Sequence, residues 1–346
     1  MRSERFFMLY PLIKYFFMKV LFDVTPKLIN EFIIICICDF FFVILRANKK
    51  VGKMKNIAFI INPISGTQNK KKLPKLIDKC LDKSQWLENI VFTEYSGHAT
   101  ELARQFAQMG FDAVVAVGGD GTLHEVACGL VNSSTALGII PIGSGNGFAR
   151  HVGISTRINR AIETLNHSEV IKVDYGMVND YYFFSTCGIG FDALVADKFA
   201  TDGLRGFKGY AINSLKEWLT YKPETYHIYG DGIDMETTAF LITFANANQW
   251  GYEAHIAPKA SIQDGKMDIA IMSQFPIIQA PSLALRLFTN SIDKDLHMNL
   301  LSAKEVHVTR SQEGPMHIDG DPIHMPQELH LRIVEDGLNL LVEKRF

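Results

Sequence analysis

From Met54 onward, hydrophobic and polar positions follow two alternating periods. Ile57–Ile61 is an unbroken apolar run closed by Asn62-Pro63, the pattern of a strand buried on both faces. Leu73, Leu76, Ile77, Cys80 and Leu81 then recur at helical spacing, and Ile90–Thr93 predicts a second strand. A helix follows at His98–Met109 with Leu102, Ala103 and Phe106 inward, then a third strand at Ala113–Val117, a short helix at Leu123–Leu130 and a fourth strand at Leu137–Ile140. Such alternation predicts a parallel sheet covered by helices. In these sheets ligands bind beyond the carboxyl ends of the strands.

Near Met177–Tyr182 the texture changes. Helical spacing persists at Asp192–Phe199, Lys208–Thr220 and Ile277–Asn290. Otherwise strands are expected at Thr225–Tyr229, Thr238–Ala245, Met267–Met272, Lys304–Thr309, Met316–Ile318, Leu329–Val334 and Leu338–Val342. Strands with turn punctuation predict an antiparallel sandwich or open barrel. The expected domains are residues 1–53, 54–180 and 181–346, with the last strand free to return to the first sheet.

Composition separates the opening segment from the rest. Residues 1–53 hold nine of the 24 Phe, one of the 26 Gly, and nine basic against four acidic side chains. Phe32–Leu45 (FIIICICDFFFVIL) is apolar but only 14 residues long and interrupted by Asp39, where a membrane span needs about 20. Arg46, Lys49, Lys50 and Lys53 follow and suit anionic headgroups. Two readings stand: an interfacial anchor, or an extension upstream of a true start at Met54. The whole chain has a formal charge of −2, so no nucleic acid is expected to be held by overall charge. Five Cys in no repeated spacing form neither a disulfide scaffold nor a zinc site and fit a reducing compartment. His255, His307, His317, His324 and His330 carry no HExxH-like spacing, so no metal ligation is expected of them.

The sharpest chemical signal is Gly118-Gly119-Asp120-Gly121-Thr122-Leu123-His124-Glu125, which follows a strand and opens a helix. Three glycines in four positions let backbone amides approach a phosphate, and a helix N-terminus adds about half a positive charge. Asp120 among those donors could hold a magnesium-bound water or orient a hydroxyl. Ile142-Gly143-Ser144-Gly145-Asn146-Gly147-Phe148 repeats the strand–glycine–helix arrangement and would lie beside the first loop. Phe148 takes the place of the last glycine of GxGxxG, and no GxxxxGK[ST] occurs, so neither the dinucleotide fingerprint nor a P-loop is present. Asn62-Pro63-Ile64-Ser65-Gly66 at the first strand exit is a third, weaker signal.

In this order, the three segments resemble the diacylglycerol kinase catalytic family, which includes bacterial lipid kinases and the sphingosine and ceramide kinases. Asn62–Gly66 is similar to its NPxSG motif, Gly118–Glu125 to GGDGT followed by [NH]E, and Ile318-Asp319-Gly320-Asp321-Pro322 to its late DGE motif. The resemblance implies an α/β fold: a Rossmann-like, NAD-kinase-like N-terminal domain and a C-terminal antiparallel β-sandwich with the active site between them. It implies transfer of the γ-phosphoryl group of ATP to a lipid hydroxyl, diacylglycerol or a sphingoid base. Gly119, Asp120, Gly121, Thr122, Leu123, His124 and Glu125 fall on the nucleotide loop, and Asn62, Thr93 and Ser144 on other nucleotide contacts. Asp264, with carbonyls of Ser261 and Lys266, falls on a Mg²⁺ site. Asp321 falls on the general base, usually Glu, with Asp120 nearby to orient metal or base. His124 and Gly147 depart from the Asn and Asp common in diacylglycerol kinases, and His124 with Ser144-Gly145-Asn146 is similar to sphingosine kinases. The implied setting is cytoplasmic, peripheral to a membrane, with ATP and lipid as partners and a homodimer allowed. A NAD-kinase-like or other soluble small-molecule kinase, or a catalytically silent nucleotide-binding module, are the alternatives. Asp264-Gly265 is also an ordinary hairpin turn, and Asp321 could be a solvated surface acid.

Overall fold

The computed structural model describes residues 54–65, 72–202, 218 and 220–344, with side chains undescribed at 199–202. The expectations for 1–53, for Gly66 and for most of Lys208–Thr220 lie outside the described residues.

Four parallel strands open the chain: β1 (Lys55–Ile61), β2 (Trp86–Phe92), β3 (Ala113–Gly118) and β4 (Ala136–Pro141), ordered β2-β1-β3-β4. They are joined by α1 (Leu73–Cys80), α2 (His98–Gln108) and α3 (Asp120–Leu130). β3 and β4 are buried at every position, as continuous apolar runs between two helical layers must be. α4 (Gly147–His151) and α5 (Ile158–Asn166) lead into β5 (Ser168–Val178), β6 (Tyr181–Phe183) and β7 (Thr186–Gly190). After α6 (Phe191–Asp202) come β8 (Glu224–Gly230), β9 (Ile233–Ala239), β10 (Leu241–Ala245) and β11 (Met267–Met272). α7 (Ala280–Phe288) precedes β12 (Met298–Ala303), β13 (Glu305–Arg310), β14 (Gly314–Ile318), β15 (Asp321–Met325) and β16 (Glu328–Glu343).

β16 is the architectural link. It lies between β4, which it meets in parallel at Leu340↔Leu137, and β13, which it pairs antiparallel over Glu328–Arg332. The first sheet therefore continues from the parallel strands through β16 into β13, β8 and β9, ten strands in all with β5 and β6 alongside. The second, antiparallel sheet runs β12-β11-β10-β7-β14-β15. One core fills the parallel half around Ile57–Ile61 and Val114–Val117 and takes Leu338, Leu340 and Leu341 from β16. A second core, with Phe183, Phe244, Met267, Val306 and Leu331, lies between the two sheets of the sandwich.

Several elements differ from the sequence reading. Leu329–Val334 and Leu338–Val342, expected as two strands, are one strand with a bulge between Val334 and Leu338. Asp174 sets that bulge: its carboxylate accepts the amides of Asp336 at 2.9 Å and Gly265 at 2.8 Å. Thr238–Ala245 divides at Phe240, because β9 pairs β8 in one sheet while β10 pairs β7 and β11 in the other. The helix expected at Ile277–Asn290 is a 3₁₀ turn at Ile277–Gln279 followed by α7. β5, β6, β7, β12 and β15 had no strand expectation. The 180/181 division falls in the turn between β5 and β6. Among the described residues, no helix is long and apolar enough to cross a membrane.

Candidate active site

Parallel register sends the carboxyl ends of β1–β4 to one edge of the sheet, and there the structure collects Asn62, Thr93, the Gly118–Thr122 loop and the Gly143–Gly147 loop. Thr93 is buried and its amide donates to Ile61 O at 3.0 Å. Asn62 Nδ2 donates to Thr122 Oγ1 at 3.1 Å, so the first strand exit is tied to the first glycine loop. The two glycine loops touch through their backbones. A Cβ on Gly143 would lie 2.5 Å from Gly119 Cα, and one on Gly118 would lie 2.3 Å from the Thr122 side chain. These glycines serve close approach, not unusual dihedrals: Gly119 is extended (φ −94°, ψ −166°) at the start of α3. The amide end of α3, half-buried at Gly119–Gly121, is thereby presented at the sheet edge, a natural seat for anionic oxygens.

Asp120 joins the loops. Its Oδ2 accepts the Asn146 amide at 2.7 Å and its Oδ1 the Gly147 amide at 2.8 Å. Burial pushes its pKa up, against the pull of those two amides. The carboxylate thus holds the second loop, with Asn146 in the left-handed region at φ 51°. Residues 250–253 latch the same loop from the sandwich half: Tyr252 N donates to Gly145 O at 3.2 Å, and Arg150 pairs with Glu253 at 2.7 Å. Ser144 is exposed at the loop tip. Glu125 faces elsewhere. Its two carboxylate oxygens accept the amides of Gly97 (2.9 Å) and Ala99 (3.1 Å), capping α2.

From the sandwich, the β14–β15 turn places two acids against α3. A Cβ on Gly121 would lie 3.5 Å from Asp321 Oδ2. Asp321 is open to solvent on one side and crowded on the other; desolvation by that crowding pushes its pKa up, opposed by the nearby His124 charge and reinforced by Asp319 and Glu125. Asp319 is the residue that sequence reasoning missed. Its carboxylate accepts the amides of Phe184 (3.0 Å), Ser185 (2.7 Å) and Thr186 (3.1 Å) and meets His124 Nδ1 at 2.7 Å. Burial opposes a charge on His124, but the hydrogen bond and charge of Asp319 outweigh it and raise the imidazole to about 11. The pair therefore stands as imidazolium and carboxylate, bolting α3 to the start of β7. The one available signal was the Asp319-Gly320-Asp321 sequence, in which the turn that aims Asp321 carries a second acid. A small cavity beside Asp120 and Asp319 is lined by Ser185 and Trp250. Ser185 Oγ and Trp250 Nε1 are buried without a hydrogen-bond partner, an open polar demand at the centre of the cleft.

Asp264, Ser261 and Lys266 sit apart from this group. Asp264 is exposed in a turn where its Oδ1 accepts the Lys266 amide at 3.1 Å, and Ser261 Oγ accepts the Gln263 amide at 3.3 Å. No hydrogen bond or ion pair among the described residues joins this turn to Asp120 or Asp321. Asp268 is pushed up by burial and then by the charge of Asp264. Repelling carboxylates with hard oxygen donors fit a divalent cation such as Mg²⁺.

A profile described as "Diacylglycerol kinase catalytic domain" matches residues 56–178, and one described as "YegS C-terminal NAD kinase beta sandwich-like domain" matches 185–342. A Bacillus subtilis (strain 168) protein named diacylglycerol kinase is 30% identical over 280 residues, 78% of this chain and 90% of its own. A Citrobacter koseri protein named "Probable lipid kinase YegS-like" is 27% identical over 251 residues, 70% of this chain and 82% of its own. A solved structure described as a diacylglycerol kinase from Bacillus anthracis strain Sterne shares the fold at TM-score 0.65 and 20% identity, covering 84% of this chain and 98% of that one.

Proposed function

We propose that this chain, a kinase that belongs to the diacylglycerol kinase family, transfers the γ-phosphoryl group of ATP to the free hydroxyl of a diacylglycerol. The observation that carries the reading is the approach of Asp321 to Gly121: a carboxylate from the sandwich faces the glycine loop from the parallel half. Phosphoryl transfer is mostly positioning and charge neutralisation. The α3 amides and the Gly143–Gly147 loop would hold the phosphates, with Asn62 and Asp120 fixing the two loops and Thr93 and Ser144 at the rim. Asp321 would take the proton of the attacking hydroxyl. Its raised pKa makes it a better base than an ordinary aspartate. Mg²⁺ bound with the nucleotide would supply neutralisation of charge on the transferred group; a separate divalent ion at the Asp264 turn would be held by Asp264 and Asp268.

The acceptor is read as a lipid from family membership and from a surface of matching chemistry. Ile278 (84% exposed) and Leu285 (64% exposed) stand out with Ile277 and Phe288 on the 3₁₀ turn and α7. That element is tied to the 250–255 latch by the His255 amide, which donates to Leu287 O at 3.0 Å. It would rest on a bilayer while the cleft takes the headgroup end of the lipid, a peripheral attachment. A sphingoid base is the second reading, favoured by His124 and Ser144-Gly145-Asn146. A kinase assay with radiolabelled ATP against mixed micelles of diacylglycerol or sphingosine, and against soluble NAD, tests both. Label in phosphatidic acid is the expected result. Label in sphingosine phosphate alone transfers the reading to the sphingoid base, and faster labelling of NAD than of either lipid rejects it.

A further inference from the structure

We propose that Glu305, His307 and His330 bind a single divalent transition-metal ion of the zinc type on the outer face of the sandwich, separate from the kinase cleft. One ligand atom from each of the three lies within 4.8 Å of the others. Register explains why. β13 and β16 run antiparallel with His307 directly opposite His330 and Glu305 two residues before His307 on the same face. The alternate residues Val306, Val308, Leu329 and Leu331 are buried in the sandwich core, so the backbone under the three ligands is rigid. The spacing along the chain showed none of this, because the pairing joins residues 23 positions apart.

The side chains are also held. The His307 and His330 rings stack at 4.5 Å with an interplanar angle of 6°. Tyr229, on the neighbouring strand, stacks on the other face of His307 at 5.1 Å and 14°. This row repeats the strand spacing of about 4.8 Å and sets the two imidazoles side by side on the same face of the sheet. His330 Nε2 meets Glu305 Oε1 at 2.6 Å, so a nitrogen and a carboxylate oxygen already converge there. Zinc takes ligand atoms at about 2.0–2.2 Å and lies in the plane of an imidazole ligand, so the two stacked rings must swing out of parallel for an ion to replace the hydrogen between Glu305 and His330 and gather His307. Two imidazoles and one carboxylate satisfy a borderline ion better than Mg²⁺, which prefers oxygen. Three protein ligands leave outward positions for water.

The test uses the full chain, stripped with a chelator and titrated with Zn²⁺ in a calorimeter, with Co²⁺ as a spectroscopic probe. One equivalent of zinc is expected, together with the visible absorption of four- or five-coordinate cobalt. Both signals should be lost in His307→Ala and in His330→Gln, the latter keeping a polar side chain where alanine disturbs the fold. Glu305→Gln should weaken binding while leaving far-ultraviolet circular dichroism unchanged. Failure of the stripped protein to bind zinc overturns the proposal. So does equal stoichiometry in wild type and in folded His330→Gln, which would assign Glu305–His330 to an ordinary hydrogen bond and the bound zinc to other residues.

Discussion

Three residues divide the work of the cleft in ways that can be separated by measurement. Asp321→Asn removes the proposed base without changing size. General-base assistance contributes about 10²–10⁴ in rate, and the loss should fall on kcat, because no part of Asp321 holds the loops. The carboxyl is raised above its ordinary value and acts as a base only when ionised. In the wild type kcat should therefore fall as pH is lowered through a value above that of an ordinary aspartate, and that limb should vanish in the variant. A folded-state pKa that is raised for an acid opposes folding above the unfolded value, so Asp321→Asn should also melt slightly higher at neutral pH. His124 has the opposite sign. Its pKa rises from 6.5 to about 11 on folding, so its contribution is complete below pH 6.5 and is lost as pH climbs toward 11. His124→Ala takes the cation from beside the buried Asp319 carboxylate, leaving it its three backbone amides, and should cost about 3–5 kcal/mol at pH 6. The gap to wild type in denaturant titrations should narrow steadily from pH 7 to 10, and the imidazole should show no titration by NMR below pH 9. Glu125 is the control. Glu125→Gln loses a charged cap on α2 and should destabilise by about 1–2 kcal/mol with the KM for ATP unchanged.

At the scale of elements, the glycine loops are an instrument of contact between strands β3 and β4. Gly143→Ala would push a methyl into the Gly119 backbone, an overpacking that costs about 1–3 kcal/mol and should raise the KM for ATP far more than it lowers kcat. Much of this was legible in the sequence. β1, β3 and β4 announce themselves because burial on both faces leaves only apolar residues, and their loops carry glycine because backbone meets backbone there. β5 was not legible: its first half is exposed and its second half buried, so no single period runs through it. β12 mixes half-buried and exposed positions in the same way. Asp319 escaped because the amides it accepts belong to residues 184–186, more than 130 positions away. The cap that Glu125 forms on α2 escaped for a related reason. The position of Glu125 in the motif is clear, but the α2 amides that claim it come from another turn of chain. Residue type and spacing reveal which backbone can approach a ligand; they do not reveal which carboxylates the fold itself consumes.

The two halves of the described chain are closed on each other by β16. Residues 55–346 form one compact unit, and β16 is the reason two chemically different halves cannot part. A chain ending at Gln327 would lack the strand between β4 and β13 and the Leu338, Leu340 and Leu341 side chains in the parallel core. It should show no cooperative thermal transition by circular dichroism, although every residue of the glycine loops and both acids of the β14–β15 turn are still present. This placement bears on how the protein comes into being on the ribosome. Domains ordinarily fold in the order of synthesis, yet here strands β1–β4 wait, with the β4 edge open, for β16, which follows every other described strand in the chain. Nascent chains should therefore acquire protease resistance only once β16 has left the ribosome, and should lean on chaperones until then.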